Sequence, residues 1–191
     1  MQEINKYLSS FPTVNCGVDT VTNNAMPNIN ILQSTFTIAA NTPFVLTATA
    51  TDTDDDPLTF SWEQFDNGGA LGGTSNLNEL NSDNGFNPLF RSFSAVDTGL
   101  RYLPKLSNVI AGQTSLGETY ATTDRNMRFR LTVRDNRGGV AKQDVTVNVV
   151  TGLQSFSIDT PTQWQGLANQ NVTWQVADSN DTPLNCSHVD I

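Results

Sequence analysis

Apolar residues recur at every second position along several stretches of this chain, the period of a strand with one face buried and the other in water. Phe44, Leu46, Ala48 and Ala50 alternate with Val45, Thr47 and Thr49; after a short interruption Leu58, Phe60 and Trp62 alternate with Thr59, Ser61 and Glu63. The most regular run sets Met127, Phe129, Leu131 and Val133 against Arg128, Arg130, Thr132 and Arg134, and leads into Asp135-Asn136-Arg137-Gly138-Gly139. Asn and Gly tolerate the backbone angles of a tight turn, and Val145, Val147 and Val149 resume the alternation beyond it, so the segment predicts a hairpin. Residues 2–11 break the pattern: Ile4, Tyr7, Leu8 and Phe11 fall on one face of a short helix, ended by Ser9, Ser10 and Pro12.

Short strands punctuated by Gly, Asn and Asp predict an all-β fold of low helical content, an immunoglobulin-like antiparallel β-sandwich. The organisation follows from where the period changes. Residues 1–22 read as a helix and linker belonging to a preceding domain, or else as a helix docked on its own sandwich. Residues 23–151 read as the sandwich, starting in the Asn-rich stretch around Pro27. Residues 152–191 read as the start of a second β-module, with Val172, Trp174 and Val176 on one strand face and a further strand opening at Val189, where truncation is expected. Between Asp66 and Asp124 the alternation is poor, which predicts short strands mixed with an ordered excursion. Its Arg91 and Arg101, with Arg125 just beyond, are expected to pack against buried carboxylates or carbonyls.

Composition narrows the function. With 191 residues and 37% hydrophobic content the chain is large enough for a real core. Ten Lys and Arg against nineteen Asp and Glu give a net charge of −9, which argues against nucleic acid, because phosphate needs clustered cations. There is no run of about 18 apolar residues to span a membrane, and Met1-Gln2-Glu3 does not open a signal peptide. Few lysines and many Asn, Asp, Thr and Gly nevertheless resemble extracellular bacterial β-modules. Cys16 and Cys186 are the two cysteines. They are open to mutual pairing, pairing outside the chain, or the free state, with the last two favoured because they fall in different modules.

The densest chemistry lies at Asp52-Thr53-Asp54-Asp55-Asp56, four carboxylates in five residues between two strands. Oxygen ligands at alternate positions suit Ca²⁺, which accepts six to eight oxygens without strict geometry; a solvated turn is the plain alternative. An EF-hand is excluded although Asp52, Asp54, Asp56 and Glu63 match its spacing. Pro57 stands where that loop needs a sharp turn, and the flanks are strands.

Three stretches together resemble a known arrangement: residues 50–64 around Asp-Pro-Leu-Thr-Phe-Ser-Trp-Glu-Gln, residues 129–136 reading Phe-Arg-Leu-Thr-Val-Arg-Asp-Asn, and residues 172–177 reading Val-Thr-Trp-Gln-Val-Ala. They are similar to the region after the catalytic domain of secreted bacterial reprolysin-like zinc metalloproteases. More loosely, the acidic turn resembles PKD and cadherin-like modules. The resemblance implies a secreted protein, a preceding protease domain as partner in the same chain, and Cys16 pairing within that domain. It also implies calcium ligands at Asn24, Asp52, Asp54 and Asp135, with Asp56 as a further candidate. The turn departs from the usual Asp-Gly-Asp, leaving Asp55 and Asp56 as alternatives for the inward position; the linker ligand is open between Asn23 and Asn24.

Catalysis finds little support in this chain. His188 is the single histidine, too few for a catalytic zinc site, and no Gly-x-Ser-x-Gly elbow appears. Glu63 with Asp66 or Asp83 makes only a generic carboxylate pair. The reading is a non-catalytic, calcium-stabilised spacer or accessory region, with an adhesion or carbohydrate-binding module, its partner an extracellular protein or polysaccharide, as the alternative. In that alternative Trp62, Trp164, Trp174 or the 66–124 loops meet the ligand, whereas the strand patterns predict all three tryptophans in the core.

Overall fold

The computed structural model describes residues 22–66, 81–159, 166, 169 and 171–186. The helix expected at 2–11, Cys16, Trp164, His188 and the strand expected from Val189 lie outside the described residues.

Among the described residues, ten strands follow in chain order: β1 Asn28–Asn30, β2 Thr35–Ala39, β3 Phe44–Leu46, β4 Thr49–Thr51, β5 Thr59–Gln64, β6 Arg101–Leu103, β7 Arg125–Arg134, β8 Val140–Val150, β9 Ser157–Asp159 and β10 Thr173–Gln175. A six-residue helix, α1, spans Leu106–Ala111. The main sheet runs β2-β8-β7-β5, and β1-β4 and β3-β6 are paired strands outside it. The expected hairpin is β7–β8, in register from Arg125 opposite Val149 to Arg134 opposite Val140. β5 lies antiparallel on the other side of β7, with Trp62 opposite Leu131.

The period of two sets the core. Met127, Phe129, Leu131 and Val133 are fully buried, joined by Val145, Val147 and Val149 from β8 and by Phe60 and Trp62 from β5. Leu46 of β3 and Leu103 of β6 belong to the same cluster, which makes it the filling between two layers. Phe44 crosses that filling, meeting Phe90 and Phe129 edge-on at 5.7 Å between centroids. Such edge contacts add about 0.5–1.5 kcal/mol each to the burial of the rings. The all-β sandwich is thus realised.

Four expectations need correction. The sheet is not wholly antiparallel: β2 pairs with β8 in parallel, Thr35 opposite Thr146. One hundred residues lie between the two strands, so no hairpin constrains their direction. The run 44–50 is not one strand, because β3 pairs with β6 while β4 pairs with β1; Ala48 N–H at the changeover donates to the Gly99 carbonyl. Trp174 is not core: it is 44% exposed on the small β9–β10 pair. Arg91 stays exposed, whereas Arg101 and Arg125 pack against buried carboxylates as expected.

The poorly patterned excursion is anchored by polar groups that alternation cannot reveal. Gln64, buried at the end of β5, accepts from the N–H groups of Leu89 and Phe90 at 2.7 and 3.1 Å, which holds those apolar residues in the core. Arg125 meets Asp83 at 2.7 Å, and Arg101 meets Glu118 at 3.0 Å. Trp62 is buried with its indole N–H donating to the Gly99 carbonyl.

Candidate metal centre

The acidic turn and the β7–β8 hairpin turn meet at one pole of the sandwich, as the antiparallel pairing of β5 with β7 requires: Thr59, just after the acidic turn, stands opposite Arg134, just before Asp135. Asn136 ties the two turns directly, donating from its side chain to the Pro57 carbonyl at 3.0 Å.

Within the acidic turn, Asp55 adopts the left-handed conformation, φ 57°, which Asp tolerates because its short side chain bonds locally. The alternation of carboxylates follows. Asp52, Asp54 and Asp56 each bring a carboxylate oxygen within 4.8 Å of the others, and Asp55 stands outside the group, exposed. Asp52 organises the turn: its Oδ1 accepts from the Asp54 N–H at 2.9 Å and, more weakly, from the Asp56 N–H at 3.5 Å. Its Oδ2 is buried without a hydrogen-bond partner.

Asp135 is fully buried and already saturated by the protein. Its Oδ1 accepts from the N–H groups of Arg137 and Gly139 at 2.7 and 2.9 Å, and its Oδ2 from the Gly139 N–H at 3.0 Å and the Asn24 amide at 2.6 Å. Burial by itself raises the pKa of this carboxyl, but the bonds from Asn24 and from the Arg137, Gly139 and Gly138 N–H groups outweigh it, and the group sits below the ordinary aspartate value. Gly139 permits this approach: a Cβ there falls 2.1 Å from Asp135 Oδ2. Asp135 therefore fixes the linker, and the linker reaches the acidic turn, where the Ala25 N–H donates to Asp54 Oδ2 at 2.7 Å.

The structure thus gathers Asp52, Asp54 and Asp56 into one group, and sets Asn24 and Asp135 beside it as a hydrogen-bonded pair. Asn24, not Asn23, makes the contact with Asp135. Sequence reasoning missed Arg137, Gly139 and the Ala25 N–H. The Gly138-Gly139 pair was legible as a turn, but nothing local says that the second glycine makes room for a carboxylate.

The electrostatics of the pole are unbalanced. Carboxylates at such separations repel by about 1–4 kcal/mol per pair, according to solvent access. Arg137, at 3.4 Å from Asp56, is the one cation paired with the cluster among the described residues, and its side chain is 70% exposed. An ion pair so open to water is worth about 0–1 kcal/mol. A hard cation fits this donor set, since it answers both the repulsion and the buried, unpartnered Asp52 Oδ2. Of the other carboxylates considered for catalysis, Asp66 is bonded to Arg128 and Asp83 to Arg125. Cys186 is exposed with a free thiol.

No family model and no curated protein matches the chain. A solved structure of Protocadherin Gamma B2 extracellular cadherin domains 3–6 is similar over 74% of this chain, at 16% identity and a TM-score of 0.37. The chain spans 29% of that protocadherin chain. The sandwich assignment rests on the strand registers and the shared core described above.

Proposed function

We propose that this chain is a non-catalytic β-sandwich module whose acidic pole holds a calcium ion, and that the ion fixes the linker entering the sandwich. The observation that carries the reading is the buried Asp52 Oδ2, an anionic oxygen without a donor inside a group of three carboxylates. Asp52, Asp54 and Asp56 would hold the ion. Asn24 is the next candidate, because its NH₂ is spent on Asp135 and its amide oxygen is left for a cation. Asp135, with its oxygens engaged, serves mainly to hold that linker. The cation supplies charge neutralisation and order, and no bond-breaking step is assigned to it.

In this reading the module is a spacer and stabiliser in a secreted protein, following a zinc metalloprotease domain as the sequence resemblance implies. The resemblance of residues 50–64 and 129–136 supports that parentage. The pole supports the ion alone.

The test is thermal and chemical unfolding of the whole chain in EDTA and in calcium. At a calcium concentration about 100 times the dissociation constant, linkage predicts about 2.7 kcal/mol of added stability. The double variant Asp52→Asn with Asp54→Asn should lose that increment while keeping the sandwich, judged by its far-ultraviolet spectrum. No heat on titration with millimolar calcium, together with identical melting in EDTA, would sink the proposal.

A further inference from the structure

Away from the acidic pole, a cleft of about 510 Å³ opens between the end of the main sheet and the β6–α1 segment. Most of its exposed wall is apolar, from Phe60, Trp62, Phe93, Leu100, Tyr102 and Leu106, and small hydroxyl side chains such as Ser61 and Ser94 lie between them. The apolar surface runs on past the cleft. Tyr102 stands opposite Val45 across the β3–β6 pair, and Ile110 follows Leu106 one turn along α1. Val45, Tyr102 and Leu106 are each 40–43% exposed and Ile110 is 77% exposed. α1 itself has no buried residue, so the protein gains no core from keeping these side chains apolar.

Positive charge collects at the same place. Lys105 Nζ, Arg101 Cζ and Arg91 Cζ lie 4.2, 4.8 and 5.1 Å from the centre of the Phe93 ring. One ring answers a cation by about 0.5–2 kcal/mol and cannot answer three. Glu118 neutralises Arg101 and also accepts from the Lys105 backbone N–H, while Glu63 adds a weaker negative field on Arg101. Neither Arg91 nor the Lys105 ammonium has an ion-pair partner among the described residues. Arg101, with a side chain 10% exposed, keeps its Nε buried without a hydrogen-bond partner. In a chain of net charge −9, this concentration of cations beside an apolar cleft selects its ligand by sign.

We infer that the cleft is a docking site for a segment of another protein that carries a large apolar side chain next to a carboxylate. The apolar group enters between Trp62 and Leu106, and the carboxylate meets Lys105 and Arg91. A neutral sugar fits less well than an acidic segment, because its hydroxyls leave the unpaired charges of Lys105 and Arg91 unanswered. A protein segment fits better than a small molecule, because the exposed apolar strip continues beyond the cleft to Val45 and Ile110.

The experiment is an amide-resonance NMR titration of the whole chain with a capped hexapeptide that has a phenylalanine–glutamate–phenylalanine centre. Its glutamine counterpart and free phenylpropionate are the comparison ligands. The acidic peptide should bind about tenfold tighter than the glutamine peptide, as expected for a charge-assisted contact, and should weaken with added salt. Lys105→Gln and Leu106→Ser, both at exposed positions, should each weaken it about three- to tenfold on the same principle of combined charge and apolar contact, with melting unchanged. Equal affinity for the glutamine peptide, or unchanged binding by both variants, overturns the proposal. Silence at millimolar peptide overturns it too. Phenylpropionate binding as tightly as the peptide would make this a small-molecule site and overturn the protein occupant. Because the titration is run in EDTA, its outcome is independent of the calcium reading.

Discussion

Two regions of this protein concentrate charge, and they treat it in opposite ways. In the excursion between β5 and β7, Glu118 and Asp83 are removed from water and each is met by an arginine that is itself nearly buried. At the acidic pole, Asp52, Asp54 and Asp56 crowd together, and among the described residues the answering cation is a single exposed arginine. The first arrangement is complete within the chain; it is a structural clamp that needs nothing from solution. The second has no such internal partner among the described residues, and in the proposed reading a cation from outside completes it. Charge density by itself therefore does not mark a site. What marks it is density without an internal partner.

The largest break in this contrast is expected at the clamp. Arg125→Met strands the buried Asp83 and should cost about 3–5 kcal/mol in denaturant unfolding, the usual penalty for breaking a buried pair. Calcium should stabilise this variant by the same increment as the parent, since the lost cation served a different carboxylate. A calcium increment that disappeared with Arg125 would mean that the two regions are one system.

Acidification is the next test and separates the engaged carboxylates from the rest. At Asp83 burial raises the pKa, but bonds from Gly85, Thr122, Thr123 and Arg125 outweigh it, so the group lies below its ordinary value, as Asp135 does. A carboxylate depressed on folding contributes stability that is full above its unfolded pKa of about 3.9 and is lost as the pH falls through the folded value. Unfolding in EDTA should therefore be insensitive to these two groups from pH 7 to about pH 5, and should weaken below about pH 4. Asp83→Asn should be less stable than the parent at pH 7 and should lose less on acidification.

The smallest effect belongs to the exposed ladder. Arg130 grips Asp144 with two bonds of 2.7 and 2.8 Å, yet both side chains are substantially open to water. Arg130→Gln should cost about 0.2–1 kcal/mol, and the difference should shrink in high salt. A loss as large as that at Arg125 would erase the distinction between paired charges that are buried and paired charges that are not.

The strands around the core were legible because their residues announce themselves locally. Met127, Phe129, Leu131 and Val133 point inward for the same reason that they alternate. The 81–124 region was not legible, because Gln64, Asp83, Arg101 and Glu118 order it through contacts of 13 to 42 positions in sequence that carry no period. Trp174 misled for a related reason: strand propensity says that a residue sits on a pleat, not that anything covers it.

At the pole, the sequence alone determined that carboxylates would crowd between two strands, since four of them in five residues cannot separate far. Which of them converge was a tertiary decision. The left-handed turn at Asp55 grouped Asp52, Asp54 and Asp56, and the β5–β7 register brought the hairpin turn alongside. Gly139 then left room for Asp135 to be sealed by backbone N–H groups and by Asn24, 111 positions away. The physical reason is range: alternation and charge density are properties of neighbours along the chain, whereas the saturation of one carboxylate and the isolation of another depend on donors that only folding brings near.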